Sequence, residues 1–256
     1  MNTEIPNNLF EFGYIPGFDD RLEELAELSE PEDWNYRKTT HRGVLPILHS
    51  YIKYTFERLV EEEKIAITQD GQYACFNTGL VTENQEPIYA SFEVNRADDR
   101  APWYFKGWLR KGQWELNKFS ILPEMAHYFS DPTVLVFDYR KDFRVNVEHI
   151  IEDNNERFPE PIKDMNNFML QNLVKGAVDS ALERVKRNYK TAIPQYYKKK
   201  IQFLLPLCLA DAKMADMALA VERHEYFYRA STCLTLDMAY NNARLLAKPD
   251  RDWLEP

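Results

Sequence analysis

Val44-Leu45-Pro46-Ile47-Leu48-His49-Ser50-Tyr51-Ile52-Lys53-Tyr54-Thr55-Phe56-Glu57-Arg58-Leu59-Val60-Glu61-Glu62-Glu63, with the hairpin residues after it, decides the fold class. Val44, Leu48, Tyr51, Ile52, Thr55, Phe56, Leu59 and Val60 recur at three- and four-residue intervals, which predicts an amphipathic helix. Its end carries Glu61, Glu62 and Glu63, where the helix dipole disfavours negative charge, and Arg58 and Lys64 are the nearest cations to offset it. From Lys64 the period changes. Ile65–Thr68 and Tyr73–Phe76 flank Gln69-Asp70-Gly71-Gln72, and Asp-Gly between apolar runs predicts a hairpin. A long helix followed by hairpin strands reads as α+β.

The same logic extends both ways. Asp20-Arg21-Leu22-Glu23 reads as a capping box for a short helix through Leu28. Ile88, Ala90, Phe92 and Val94 alternate with polar neighbours, as in a half-buried strand. Thr133–Phe137 and Phe143–Val147 read as strands joined by residues 138–142. A second long helix, N-capped by Asp164, carries the stripe Met165, Met169, Leu173, Val174, Ala177, Val178, Ala181 and Val185. Ile201–Ala210, Met217–Val221 and Tyr226–Thr235 read as strands, and Leu236–Leu246 as a last helix. No internal repeat is visible. The expectation is one α+β domain over 1–256: a helical N-terminal portion (1–63) capping a mixed portion (64–256), with a mostly antiparallel sheet flanked by two long helices.

The chain has 256 residues, 45% apolar and 14% aromatic, enough to bury a substantial core and too many to be disordered. Eight glycines against 14 prolines exclude collagen-like and glycine-rich linker readings. Cys75, Cys208 and Cys233 are widely spaced with no CxxC, so they read as small buried hydrophobes. Residues 1–6 lack the basic and apolar regions of a signal peptide, and the longest apolar run, 201–210, is too short to span a bilayer. A cytoplasmic protein without a membrane partner is expected.

Net charge is −9, but it is unevenly distributed. Between Arg184 and Lys200 lie seven basic residues and no acid, leaving about −16 on the remainder. Overall acidity disfavours bulk polyanion binding, whereas one basic stretch permits a focused anion site. Within that stretch, Tyr189, Lys190, Tyr196, Tyr197 and Lys198-Lys199-Lys200 interleave rings with ammonium groups around Pro194. Single-stranded nucleic acid recognition uses this mixture, stacking bases and neutralising phosphates. A lysine-rich solvated face has the same composition.

Three further constellations are candidates. Asn77 and Thr78, before Gly79, could meet a phosphate or base edge, or form a polar turn. His149, Asp153 and Arg157 are spaced i, i+4, i+8: a histidine oriented by a carboxylate can be a general base, and the same residues can simply brace a helix. Asp237, Tyr240, Asn241 and Arg244 form a polar stripe that faces water or lines a pocket. His41, His49, His127 and His224 read as structural. Dinucleotide-binding, P-loop, GxSxG, HExxH, EF-hand, kinase, zinc-finger and RRM signatures are absent, so no metal or cofactor is expected.

Tyr54–Leu59, Phe76–Leu80, His149-Ile150 with Arg157-Phe158-Pro159, Asn188-Tyr189-Lys190 with residues 192–197, and Ala239-Tyr240 with residues 242–245 occur in this order. Together they resemble a prokaryotic domain family of unknown function sometimes fused to OST-HTH (LOTUS-type) RNA-binding modules. The resemblance runs roughly from Leu22 to Leu254 and implies an RNA-linked role by association, without catalytic residues to carry over. The leading expectation is a binding domain for RNA or a phosphorylated nucleotide, single-stranded or small rather than duplex. Asn77, Thr78, Arg157, Lys190, Tyr196, Tyr197 and Arg244 would line one pocket. The alternative is a metal-independent phosphodiesterase or ribonuclease acting on RNA or nucleotides, with His149 as base and Asp153 as its orienter. A third is a protein-interaction scaffold.

Overall fold

The computed structural model describes residues 5–36, 43–97, 100–160, 162–249 and 253–254. The backbone divides into two compact units, the first ending at His127 and the second beginning at Tyr128. The position 63/64, where helical and mixed portions were expected to meet, falls inside the first unit. His41 lies outside the described residues.

The first unit contains α1 (Leu9–Phe12), β1 (Gly13–Tyr14), α2 (Phe18–Leu28), α3 (Pro46–Glu61), β2 (Ala66–Ile67), β3 (Tyr73–Val81), β4 (Pro87–Val94) and β5 (Trp103–Arg110). Pro46 opens α3, where a missing N–H costs nothing. Ile47, Leu48, Tyr51, Ile52, Thr55, Phe56 and Leu59 are its buried stripe, which gains Ile47 and leaves Val44 and Val60 only half-buried. α3 packs on β3, and Phe12, Phe56, Phe76 and Phe92, all fully buried, bring successive ring centroids within 5.1 to 5.9 Å. At the acidic end of α3, Glu62 receives Arg58 Nε at 2.7 Å and Lys64 Nζ at 2.9 Å, as expected. The backbone N–H of His127 also donates to Glu62, at 2.9 Å.

Two readings of this unit need correction, and one strand lies outside what the spacing predicts. α2 starts at Phe18 after Gly17, whose left-handed backbone breaks the chain, so Asp20 sits in the first turn rather than at the cap. β4 is not half-buried: Ile88 to Phe92 are all buried, because Tyr89 packs in a second small core with Cys75, Leu116 and Phe119 on the other side of the sheet. β5 escapes the periodicity, since Gly107 and a register shift opposite Ser91/Phe92 interrupt its alternation.

The second unit contains β6 (Asp142–Val145), α4 (Val147–Asn154), α5 (Asn167–Arg187), β7 (Ile193–Tyr197), β8 (Lys200–Leu207), β9 (Met217–Arg223), β10 (Phe227–Leu234) and α6 (Leu236–Arg244). α4 and α5 pack together and cover one sheet face, with Ile150, Val174, Val178, Phe203, Leu205 and Leu219 central to that core. α6 packs against β7, β9 and β10. The expected strand at Thr133–Phe137 is instead a 3-10 turn over Pro132–Leu135, because the Asp131 side chain accepts the Thr133 N–H at 2.9 Å and Pro132 sets the turn. α5 is capped by Asn166, not Asp164, which belongs to a preceding 3-10 turn.

Two mixed five-stranded sheets thus stand where one mostly antiparallel sheet was expected, and the fold is α+β. Their strand orders are β1-β5-β4-β3-β2 and β6-β10-β9-β8-β7. In each, the first strand pairs in parallel with the last, the others run antiparallel, and two helices separate the first strand from the second. The helix contacts correspond as well: α2 meets β5 as α4 meets β10, and α3 meets β3 as α5 meets β8. The two units are the same topology built twice. No sequence repeat announces it.

Candidate ligand groove

The acid-free basic stretch runs along one edge of the second sheet. α5 ends at Arg187, a 3-10 turn holds Tyr189–Thr191, and β7 comes next as the sheet's edge strand. Asn188 caps that turn by accepting the Lys190 N–H at 3.1 Å, fixing where Tyr189 and Lys190 project. Both line a groove of about 270 Å³. Its apolar walls include Val136, Ile193, Pro194 and Leu246, and Lys248 adds a second ammonium group. The Trp253 indole N–H anchors the turn from the C-terminal side, donating to Thr191 O at 2.8 Å.

Alternation along β7 divides its side chains between two faces. Ile193, Gln195 and Tyr197 share one face, opposite Leu204, Gln202 and Lys200 of β8. α6 lies on that face: Asn242 Nδ2 donates to Gln195 Oε1 at 3.0 Å, and Gln195 Nε2 donates to Gln202 Oε1 at 3.0 Å. Gln195 is fully buried, while Gln202 and Asn242 are half-buried. Beyond this amide chain lies the β7–β8 turn, Tyr197-Lys198-Lys199-Lys200, with an exposed Tyr197 and Lys198 Nζ 5.4 Å from its ring centroid. Lys200 Nζ lies 2.7 Å from Glu222 Oε1, and this hydrogen bond holds the carboxyl below its usual range despite partial burial.

The predicted residues separate. Lys190 lines the groove, Tyr197 stands at the turn on the groove-side face, and Arg244 is buried on α6. Tyr196 projects to the opposite face of β7, edge-on to Tyr128 at 4.7 Å. Arg157 Nη1 donates to Asn154 Oδ1 at 2.6 Å and Cys233 O at 2.7 Å, within a cluster that joins the end of α4 to β10. Asn77 and Thr78 belong to the first unit: Thr78, fully buried, donates to Ile88 O at 2.8 Å, and Asn77 Oδ1 accepts the Gly79 N–H at 2.9 Å. They shape an irregularity in the β3–β4 register at which Gly79 is left-handed.

His149 Nε2 and Asp153 Oδ2 are 3.3 Å apart on α4, both exposed. The other groove described in this unit, lined by Tyr139, Lys141, Asp179 and Glu183 among others, includes neither. Among the described residues, no three His, Cys, Asp or Glu side chains gather as a metal site, and no helix is long and apolar enough to cross a membrane. Tyr189, Pro194 and Lys248 are groove residues that the sequence reading does not assign as ligand contacts. The tyrosine and proline lie within the basic stretch, while only the packing of the chain's end brings in the lysine.

A family model for a domain of unknown function, DUF3825, matches residues 25–253. The chain belongs to the DUF3825 family. The match begins within α2 and ends beyond α6, so it takes in the whole second copy of the five-stranded topology and the first copy without β1. Neither a curated protein nor a solved structure matches this DUF3825 chain.

Proposed function

We propose that this domain binds RNA or a phosphorylated nucleotide through the groove of the second unit. The observation that carries the reading is the convergence of Tyr189, Lys190 and Lys248 around apolar walls of Ile193, Pro194 and Leu246. A nucleotide presents a flat apolar base and a charged phosphate. Apolar walls with an adjacent ring favour the first, and paired ammonium groups the second. At about 270 Å³ the groove is sized for one nucleotide-like group rather than a larger cofactor.

Thermal-shift titration with nucleoside mono- and diphosphates and short RNAs tests this. Saturating ligand raises Tm by about 5 °C, and Lys190→Ala or Tyr189→Ala weakens affinity by about tenfold each. Unchanged Tm with every ligand sinks the reading and favours the scaffold.

A second reading, a metal-independent phosphodiesterase or ribonuclease, draws support from the 3.3 Å approach of His149 to Asp153. The carboxylate would orient the imidazole as a general base. RNA cleavage that persists in EDTA and disappears in His149→Ala is the expected result on that reading. Cleavage retained in the variant removes it.

A further inference from the structure

The two copies of the topology provide an internal comparison at the hairpin joining their second and third strands. In the first unit this hairpin spans Gln69-Asp70-Gly71-Gln72, where Gly71 takes the positive φ of 68°. Glycine adopts that backbone without strain. In the second unit the corresponding turn has only two residues between paired Tyr197 and Lys200, and both have positive φ: Lys198 at 48° and Lys199 at 62°. Asn-Gly is the residue pair such a turn favours, and placing two side-chain-bearing lysines there costs roughly 1–3 kcal/mol each. The turn therefore carries two lysines at positions where folding favours neither.

These lysines lie in line with the groove. Ile193 at the groove, Gln195 with its amide partners Gln202 and Asn242, and Tyr197 at the turn succeed one another on one face of β7. From Pro194 to Lys198 the strand advances about 13 Å at about 3.3 Å per residue. A stacked nucleic acid strand advances about 3.4 Å per nucleotide, so this distance corresponds to roughly four nucleotides. The order of chemistry matches such a ligand: a ring and ammonium groups at the groove, the half-buried amides of Gln202 and Asn242 over the fully buried Gln195, then a second ring with ammonium groups. Glu222, the carboxylate on this face beside the turn, is paired with Lys200.

We infer that the groove and the Lys198-Lys199 turn form one continuous tract for a single-stranded oligonucleotide of about four residues. This inference rests on the groove being a nucleotide site and extends it from one nucleotide to a strand. The groove holds one base and its phosphate. The turn holds a phosphate further along, with Tyr197 available for stacking.

The test is fluorescence anisotropy on the full chain with labelled oligouridylates of one, two, four and eight nucleotides, and a duplex of eight base pairs. Affinity is expected to rise about tenfold between one and four nucleotides, the worth of one added stacked base with its phosphate contacts. In the double variant Lys198→Asn/Lys199→Gly that ratio collapses to within about threefold, and the log-log salt slope falls by about 0.7 for the one phosphate no longer neutralised. The variant installs the favoured turn pair, so its Tm stays level or rises, which separates lost binding from lost folding. Three outcomes overturn the tract: affinity independent of length, a length dependence surviving in the variant, or tighter binding of the duplex. With mononucleotide still bound, such a result leaves the groove reading standing. No binding at any length removes both.

Discussion

Arg157 and Cys233, 76 positions apart, are joined by a 2.7 Å hydrogen bond from Nη1 to the backbone carbonyl. The same nitrogen donates to Asn154 Oδ1, which also accepts Thr232 Oγ1 at 2.8 Å. Asn154 is buried and its Nδ2 donates to Ile150 O. Arg157→Ala leaves a buried amide oxygen and a carbonyl short of a donor, and is expected to lower stability by about 2–3 kcal/mol in urea unfolding. Arg157→Lys recovers only part, since a more strongly hydrated ammonium on a flexible stem must be held at the place the rigid guanidinium gives Nη1. A loss below about 0.5 kcal/mol, the range of an ordinary surface substitution, would show that this arginine is free to serve a ligand instead.

Glu62 predicts an acid sensitivity. Burial raises its carboxyl pKa, but the Lys64 hydrogen bond, the His127 N–H and the Arg58 charge together leave it below the ordinary range. A depressed folded pKa stabilises above the unfolded value, and that contribution disappears as pH falls through the folded value. Glu62→Gln should cost roughly 1 kcal/mol at pH 7 and almost nothing below the carboxylate range. Urea unfolding at neutral and acidic pH, comparing variant with parent, measures the difference; equal losses at both would refute it.

Gly79 has φ of +75°, and a Cβ placed there would come within 2.6 Å of the Tyr51 hydroxyl oxygen. Gly79→Ala therefore combines backbone strain with a clash, and is expected to cost about 2–4 kcal/mol. Tyr51→Phe in the same chain removes the clashing atom and should recover part of that loss. A double-mutant cycle with no coupling between the two positions would contradict this geometry.

Burial raises the Cys75 and Cys233 thiols to about 12, in Cys233 against the opposing pull of Arg157. Cys208, half-buried, is raised in the same direction, chiefly by desolvation. Thiolate is the reactive form. Maleimide labelling of the native chain at pH 7 should be slow at Cys75 and Cys233 and become complete in denaturant. Rapid native labelling of either would show that its core opens.

Regular periodicity made much of the fold legible. α3, the Asp70-Gly71 hairpin, the meander from β8 to β10 and α6 all emerge from side-chain spacing, because each buries one face against its own unit. The misreadings have local causes: Pro132 after Asp131 converts an apolar run to a 3-10 turn, and Gly107 breaks the alternation of β5. The duplicated topology was invisible because equivalent elements share neither residues nor loop lengths, as the two hairpins show. For the site, charge counting reached Lys190 and Tyr197. Local motif and spacing picked out Thr78 and Arg157, whose hydrogen bonds within the protein only packing reveals. Lys248 needed tertiary structure altogether.

The parallel pairing of first strand with last sets an order of events during synthesis. Among the described residues β6 pairs with no strand but β10, and its partner Phe227 is made 85 residues after Asp142. During translation β6 must remain unpaired while α4, α5 and three further strands are made. Long-range closures of this kind slow folding and expose strand edges in the interim. A nascent chain released before β10 leaves the ribosome would carry an orphaned edge. Truncations in α6 and truncations in β10 should then differ sharply, the second yielding aggregates where the first yields a weakened fold.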